Sequence, residues 1–180
     1  YRAIEQQNGS SDNVLLGFDF KWNALRQLSF YGQFLLDEFV LNNIREGNGW
    51  WANKFAVQVG AKYIDAFGLP NLDLQGEVNV IRPFTYSHHS IFGSYTSYRQ
   101  PLGHPIGANL KEVVGIVRYQ PIPRLNFTGK LVFTNIGRDT TGVNWGGDIL
   151  KDYRTRTLEF NNKIGQGVSN DILLGSFTAS

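Results

Sequence analysis

Period-2 alternation repeats along most of this chain and restricts its fold more than any other feature. Leu72, Leu74, Gly76, Val78 and Val80 alternate with Asp73, Gln75, Glu77 and Asn79. A strand throws successive side chains to opposite faces, so this segment has one apolar face and one polar face. The same pattern recurs in Leu16, Phe18, Phe20 and Trp22, in the odd–even split of 28–36, in 55–63 and in 125–133. A helix needs apolar residues three and four apart, which none of these windows has. Residues 109–119, 153–165 and 170–180 read as further strands, for about eight altogether. The fold class is all-β.

The connections alternate in length. Those at 23–26, 67–71, 120–123 and 165–170 are short, whereas 42–53, 83–108 and 136–151 are long. Antiparallel strands joined in sequence place alternate connections at opposite ends of the sheet. Every short turn therefore falls on one side and every long loop on the other. Outer-membrane barrels have that asymmetry, with short periplasmic turns and longer extracellular loops. Strands of roughly ten to twelve residues also suit a tilted membrane crossing. Aromatic residues near strand ends (Trp22, Phe39, Phe67, Phe84, Tyr86, Tyr119 and Phe133) fit the two interfacial belts.

Composition agrees with this reading. Charged residues are 18% of the chain, below the roughly 25% of soluble domains. The mean hydropathy of −0.25 looks soluble, but strands that are only half apolar give the same value in a membrane barrel. A net charge of +2 gives no reason to expect a nucleic-acid partner. With no Cys, disulfides, thiol catalysis and cysteine metal sites are excluded. Met is also absent and Tyr1 stands first, so the chain reads as processed or truncated. Eight strands would close a small barrel, yet residues 1–11 read as a loop entering a strand and the C-terminus lacks a final aromatic anchor. The expectation is one segment, 1–180, of a larger antiparallel up-and-down transmembrane β-barrel, favoured over a soluble sheet domain.

The most distinctive stretch runs from Arg82 to Glu112. Its residues Arg82, Pro83, Tyr86, Ser87 and His88, then Tyr95, Tyr98, Gln100, Pro101, Leu102, Gly103, His104, Pro105, Gly107, Asn109 and Glu112, form two linked motifs. With the later Gly142, Trp145, Gly146, Gly147 and Asp148, the chain resembles the Wzi-like capsule-assembly family of outer-membrane β-barrels, in the version found in gliding and capsulated Bacteroidota. The resemblance covers most of 70–150, and the family barrel has many more strands than this chain supplies. It implies location in the bacterial outer membrane, with the lipid bilayer as one partner. Capsular polysaccharide and other outer-membrane secretion or gliding-motility proteins are the further partners it implies. A porin-like uptake channel and a docking subunit of a secretion complex are the rival readings.

Site-level signals are weaker. His88, His89 and His104 lack the spacing of a metal site, and His104, between Gly103 and Pro105, reads as a loop residue bonded to backbone. Asp73 and Glu77 are too far apart along one strand for paired-carboxylate glycoside chemistry and read as a polar ladder paired with Lys or Arg. Gly146-Gly147 lacks the Lys-Ser/Thr of a phosphate loop. No nucleophile elbow occurs, so the chain reads as a non-enzyme without cofactor or metal. Trp50 and Trp51 suit an interfacial cap better than a sugar-stacking platform. The loop 83–108, rich in Pro and Gly, is expected to fold back over the barrel mouth, anchored by Asn109 and Glu112, with Tyr95, Tyr98 and His104 on one surface. The candidate binding residues are therefore Trp50, Trp51, Tyr95, Tyr98, Gln100, His104, Asn109, Trp145 and Asp148.

Overall fold

The alternating windows pair with their sequence neighbours and build a meander. The computed structural model describes residues 15–38 and 45–180. Its elements are β1 (Leu16–Asn23), β2 (Leu28–Glu38), β3 (Lys54–Tyr63), β4 (Leu72–Ile81), the two-residue strands β5 (Thr96–Ser97) and β6 (Gln100–Pro101), β7 (Leu110–Ile122), β8 (Leu125–Arg138) and β9 (Val168–Ala179). Seven strands form one antiparallel sheet in the order β1-β2-β3-β4-β7-β8-β9, and β5 pairs with β6 in a separate hairpin. The two edges of the sheet, β1 and β9, do not pair with each other, so the described residues form an open sheet. Among the described residues no helix is long and apolar enough to cross a membrane, which leaves strands out of account.

Register decides which side chains share a face. One cross-strand row is Phe20, Gly32, Val59, Val78, Val113, Phe133 and Leu173, apolar or glycine on every strand. The next row toward the long loops on the opposite face is Asp19, Gln33, Gln58, Asn79, Glu112, Thr134 and Ile172. The first face stays apolar along its length until the row Val80, Lys111, Asn135 and Asp171 at the loop end. The second face is polar over β1–β4 and mixed over β7–β9, where Val114, Val132 and Leu174 enter it.

Among the described residues nothing covers the apolar face. Phe18 is 58% exposed, Val113 51%, Leu131 56% and Phe177 73%. The core instead lies on the other face, at the loop end. There Leu35, Ala56, Ile81, Leu110 and Ile136 form an apolar row across five strands. Tyr86, Ala108, Ile149 and Ile106 from the long loops pack on that row. The loops therefore fold inward over the polar face.

Two expectations need correction. Residues 153–165 are not a strand. The Asp152 carboxylate accepts the Arg154 amide at 2.8 Å and starts a 3-10 turn at Tyr153–Thr155. Asn161, Gly165 and Gly167 then take left-handed φ of 64°, 85° and 90°, which an extended ladder does not tolerate. The sheet therefore has seven strands, and the connection after β8 runs over 139–167 as one long loop. Short and long connections still alternate through all six joints of the meander. Of the expected belt aromatics, Trp22, Phe67, Tyr119 and Phe133 are exposed, but Phe84 and Tyr86 are buried in the loop layer. Phe39 and the expected N-terminal loop at 1–11 lie outside the described residues.

Asn109 holds the loop layer to the sheet. Its φ of 62° is left-handed, a conformation Asn tolerates better than most residues. Its side-chain amide donates to the carbonyls of Gly137 (3.0 Å) and Gln166 (2.8 Å), and its side-chain oxygen accepts the Gly165 amide at 2.8 Å. One fully buried residue thus joins the start of β7, the end of β8 and the entry to β9. Asn109→Ala removes three buried hydrogen bonds at about 1 kcal/mol each and leaves Ala with an unfavourable φ. We expect a loss of roughly 3 kcal/mol, read from urea unfolding, and a smaller loss for Asn109→Gly, which relieves the backbone alone.

Candidate functional site

Three long connections make the layer over the loop end of the sheet, and backbone bonds interlock them. The Trp51 and Asn162 amides donate to Glu159 and Gly49 carbonyls, at 3.0 and 2.9 Å. The Phe84 amide donates to the Gly146 carbonyl at 3.0 Å. A Cβ on Gly146 would lie 2.6 Å from the Phe84 nitrogen, so the glycine is what permits this approach. That is the role of the Gly146-Gly147 pair, where no phosphate-loop geometry occurs.

Trp51 is the centre of one cluster. It is 8% exposed, packs edge-on against Phe84 and lies tilted against Tyr153 at 4.8 Å between centroids. The Arg156 guanidinium sits 4.3 Å from its ring centroid and the Lys54 ammonium 5.3 Å. Both indole N–H groups, of Trp50 and Trp51, donate to one Glu159 oxygen at 3.1 and 3.0 Å. Arg156 donates from Nε to the other Glu159 oxygen at 2.8 Å. Trp51 is thus an internal strut of the loop layer, not an interfacial cap. Lys54 is fully buried, bonded to the Ser87 carbonyl at 3.1 Å and 3.9 Å from Asp37, whose carboxylate accepts the Tyr86 amide at 3.0 Å. Strands β2 and β3 are tied to the loop by that charge pair.

A second arrangement lies beneath the layer. Tyr31 donates to Glu77 at 2.8 Å and accepts from Gln75 at 2.8 Å. Asn79 bridges Glu77 and Glu112 at 3.0 and 3.1 Å. Thr134 and His104 Nε2 then reach Glu112, each at 3.0 Å. Tyr31 lies flat across Gly60, where a Cβ would come within 2.3 Å of its ring. The Asp73 end of the ladder pairs with Lys62 at 3.9 Å, as charge pairing predicts, whereas Glu77 is satisfied by neutral donors. His104 bonds a carboxylate with its ring, not backbone, and so pins the loop to the sheet wall through Glu112. A cavity of about 610 Å³ lies between this wall and the loop, bordered by Gln58, Glu77, Tyr86, Tyr95, His104 and Glu112.

The expected surface of Tyr95, Tyr98 and His104 is not formed. Tyr95 packs on Tyr86 at 5.9 Å and His104 faces the ladder, while Tyr98 is 99% exposed at the tip of the β5–β6 hairpin. Burial and the proximity of Tyr95 and Asp37 push the Tyr86 hydroxyl up to about 12. Asn109 is buried and structural. Trp145 is half-buried, held by its amide to Asp139 at 2.8 Å and by its ring over Gly167. Gln100 and Asp148 are exposed.

Asp148 belongs to a third feature, a cleft of about 540 Å³ between the β5–β6 hairpin and the 139–167 loop. Arg99, Arg138 and Lys151 line it together with Ile106 and Ile149. Lys151 is paired with Asp139 at 2.8 Å. The hairpin tip places Tyr98 and Arg99 at φ 49° and 63°, two successive left-handed residues of the kind a two-residue hairpin turn demands. Asn-Gly is the pair that suits it, and side chains there cost roughly 1–2 kcal/mol per residue. Sequence reasoning missed Arg99 and Arg138, because a single Arg in a loop has no periodicity to mark it. Arg156 and Glu159 were hidden by the strand-like spacing of 153–165.

Among the described residues no group of three or more His, Cys, Asp or Glu converges on a metal position. The chain matches no known protein family, no curated protein and no solved structure at a significant level.

The Glu159 knot carries a pH dependence. Partial burial raises its carboxyl, but the bonds from Arg156, Trp50 and Trp51 outweigh this and hold it below its ordinary value of 4.5. A carboxylate depressed on folding stabilises the folded state above the unfolded value and loses that contribution as pH falls through the folded one. Acidification from neutral through pH 4.5 into the depressed range should therefore loosen the Trp50–Trp51 knot, read as a tryptophan-fluorescence change. Glu159→Gln should already show the acid-side spectrum at neutral pH and lose that acid transition.

Proposed function

We propose that this chain is a stretch of a bacterial outer-membrane β-barrel of the Wzi-like capsule-assembly kind. On this reading it holds surface polysaccharide or supports gliding-associated surface assembly, and does no catalysis. The single observation that carries the reading is the inversion of the two faces. A soluble sheet buries its apolar face under a second layer. Here, among the described residues, the apolar face stays bare across seven strands while the long loops pack on the polar side. Lipid is the solvent in which that arrangement is stable. The strands are a rigid wall, and the interlocked loops are the platform on which a glycan or a protein partner is held.

The wall orientation is tested by a pair of substitutions. Val78 lies mid-strand on the apolar face and Gln75 on the polar one. Val78→Arg should cost about 2–4 kcal/mol in folding titrations into lipid vesicles, if it lies near the midplane, and Gln75→Arg much less. Equal costs at the two sites would remove the membrane barrel.

Sidedness gives a second test. Since the chain has no Cys, a single introduced thiol is unique. On intact cells, Ser97→Cys in the loop layer should react with an impermeant maleimide, and Arg26→Cys in the short-turn set should not. The reverse pattern would invert the topology.

A further inference from the structure

We propose that the cleft between the β5–β6 hairpin and the 139–167 loop is a binding site for an acidic saccharide, with Arg99 and Arg138 taking its carboxylate and Tyr98 its ring. The inference rests on the surface-polysaccharide reading above and adds to it the charge class of the glycan and the residues that select it. Arg99 and Arg138 both border the cleft, both are exposed, and neither guanidinium has a partner among the described residues. The three cations nearest the cleft along the 139–167 loop are committed elsewhere: Lys151 to Asp139, Arg154 to Asp152 and Arg156 to Glu159. Two uncommitted guanidiniums at one cleft match a planar carboxylate, which a guanidinium holds in a bidentate pair.

The hairpin tip points the same way. Its backbone holds two left-handed residues, yet the sequence places Tyr and Arg there and not Asn-Gly. Such strain persists where the side chains have a task. Tyr98 is 99% exposed and makes no side-chain hydrogen bond or ring contact among the described residues. A free aromatic face beside a guanidinium suits the C–H face of a sugar ring that also bears an acid group. The remaining lining fits the same ligand. Ile106 and Ile149 supply an apolar floor, and the exposed Asp148, one of whose oxygens accepts the Leu150 amide at 3.0 Å, has its other oxygen for a sugar hydroxyl. The volume, about 540 Å³, lies in the range of small-ligand pockets.

Arg138 also settles on which side the site opens. It follows Ile136 by two residues on β8 and so continues the inward, loop-covered face, away from the apolar one. A bilayer headgroup approaching from the apolar side does not reach it, which favours a soluble glycan over lipid phosphate.

The test uses the full-length protein in detergent micelles, with oligogalacturonate as acidic probe, a neutral malto-oligosaccharide as control and inorganic phosphate as competitor. Oligogalacturonate should bind at least about tenfold more tightly than the neutral oligomer, the worth of one charge-assisted pair. The double substitution Tyr98→Asn/Arg99→Gly installs the turn pair the hairpin prefers. It should leave unfolding stability equal or higher while weakening the acidic probe by about tenfold or more. Arg138→Gln should weaken that probe by a similar factor and leave the neutral one unchanged. Equal binding of acidic and neutral oligomers, or undiminished binding by the double variant, would overturn the site. Displacement of oligogalacturonate by phosphate at concentrations where galacturonate monomer also displaces it would reduce the site to an unspecific anion cleft and overturn it as well. Vesicle folding of Val78→Arg tests the barrel separately, so a failed cleft does not count against the wall.

Discussion

An apolar face that crosses seven strands, with no second layer above it among the described residues, governs the rest of the structure. Burial of such a surface is favourable, yet among the described residues no loop lies on it. Every long connection is thereby confined to the opposite side, where the sheet has to offer it something to pack on. It does so with a single apolar row, Leu35 to Ile136, set at the loop end of a face that is otherwise polar in β1–β4. That row is the footing of Tyr86, Ala108 and Ile149. One change of residue class at one level of the strands decides where the loop layer sits.

Beneath the footing, hydrogen bonds take over from apolar contact. The ladder from Gln75 through Tyr31, Glu77 and Asn79 to Glu112 runs across β2, β4 and β7 and ends on His104 of the loop. Each carboxylate in it accepts from at least two donors, the condition under which a partly buried charge is tolerated. Gly60 belongs to the same network, because only the absence of a Cβ lets Tyr31 reach both partners. The buried Lys54–Asp37 pair does the equivalent work at the other end of the layer. Both devices tie the loops to the wall by directional bonds, so the layer has one seating.

Much of the wall was legible in the sequence. Alternation in 16–22, 28–36, 55–63, 72–80 and 125–133 is the direct imprint of a two-faced sheet, and alternation of connection lengths is the imprint of a meander. What failed had a shared cause. Residues 153–165 carry polar and apolar positions at strand-like spacing, but an Asx turn at Asp152 and left-handed residues at Asn161, Gly165 and Gly167 override it. Local side-chain bonds to backbone compete with extended structure and leave no mark on hydropathy. The binding candidates were chosen by residue type, and type does not report exposure. Trp51, Tyr95 and Asn109 were drawn into packing, whereas Tyr98 and Asp148 remained at the surface. Glu112 and Asn109 did anchor the returning loop, since a residue at a strand start has few other places to bond.

The fate of the aromatics separates structural from recognition roles better than their positions along the chain. Trp50, Trp51, Phe84 and Tyr153 satisfy one another and the cations around them, and every indole N–H of that cluster has its acceptor. Trp51 and Phe84 are buried and leave no face for a ligand. Tyr98 is the opposite case, an aromatic on a strained turn with no side-chain partner among the described residues, beside an arginine in the same condition. A loop layer interlocked by buried bonds can hold that pair at a fixed height and spacing, because the cost of positioning is met within the layer. Rigidity in the interior and unsatisfied chemistry at one tip are two halves of the same design: preorganised groups lose less entropy on meeting a ligand. The cleft beside Arg99 is therefore where this fold has chemistry left over.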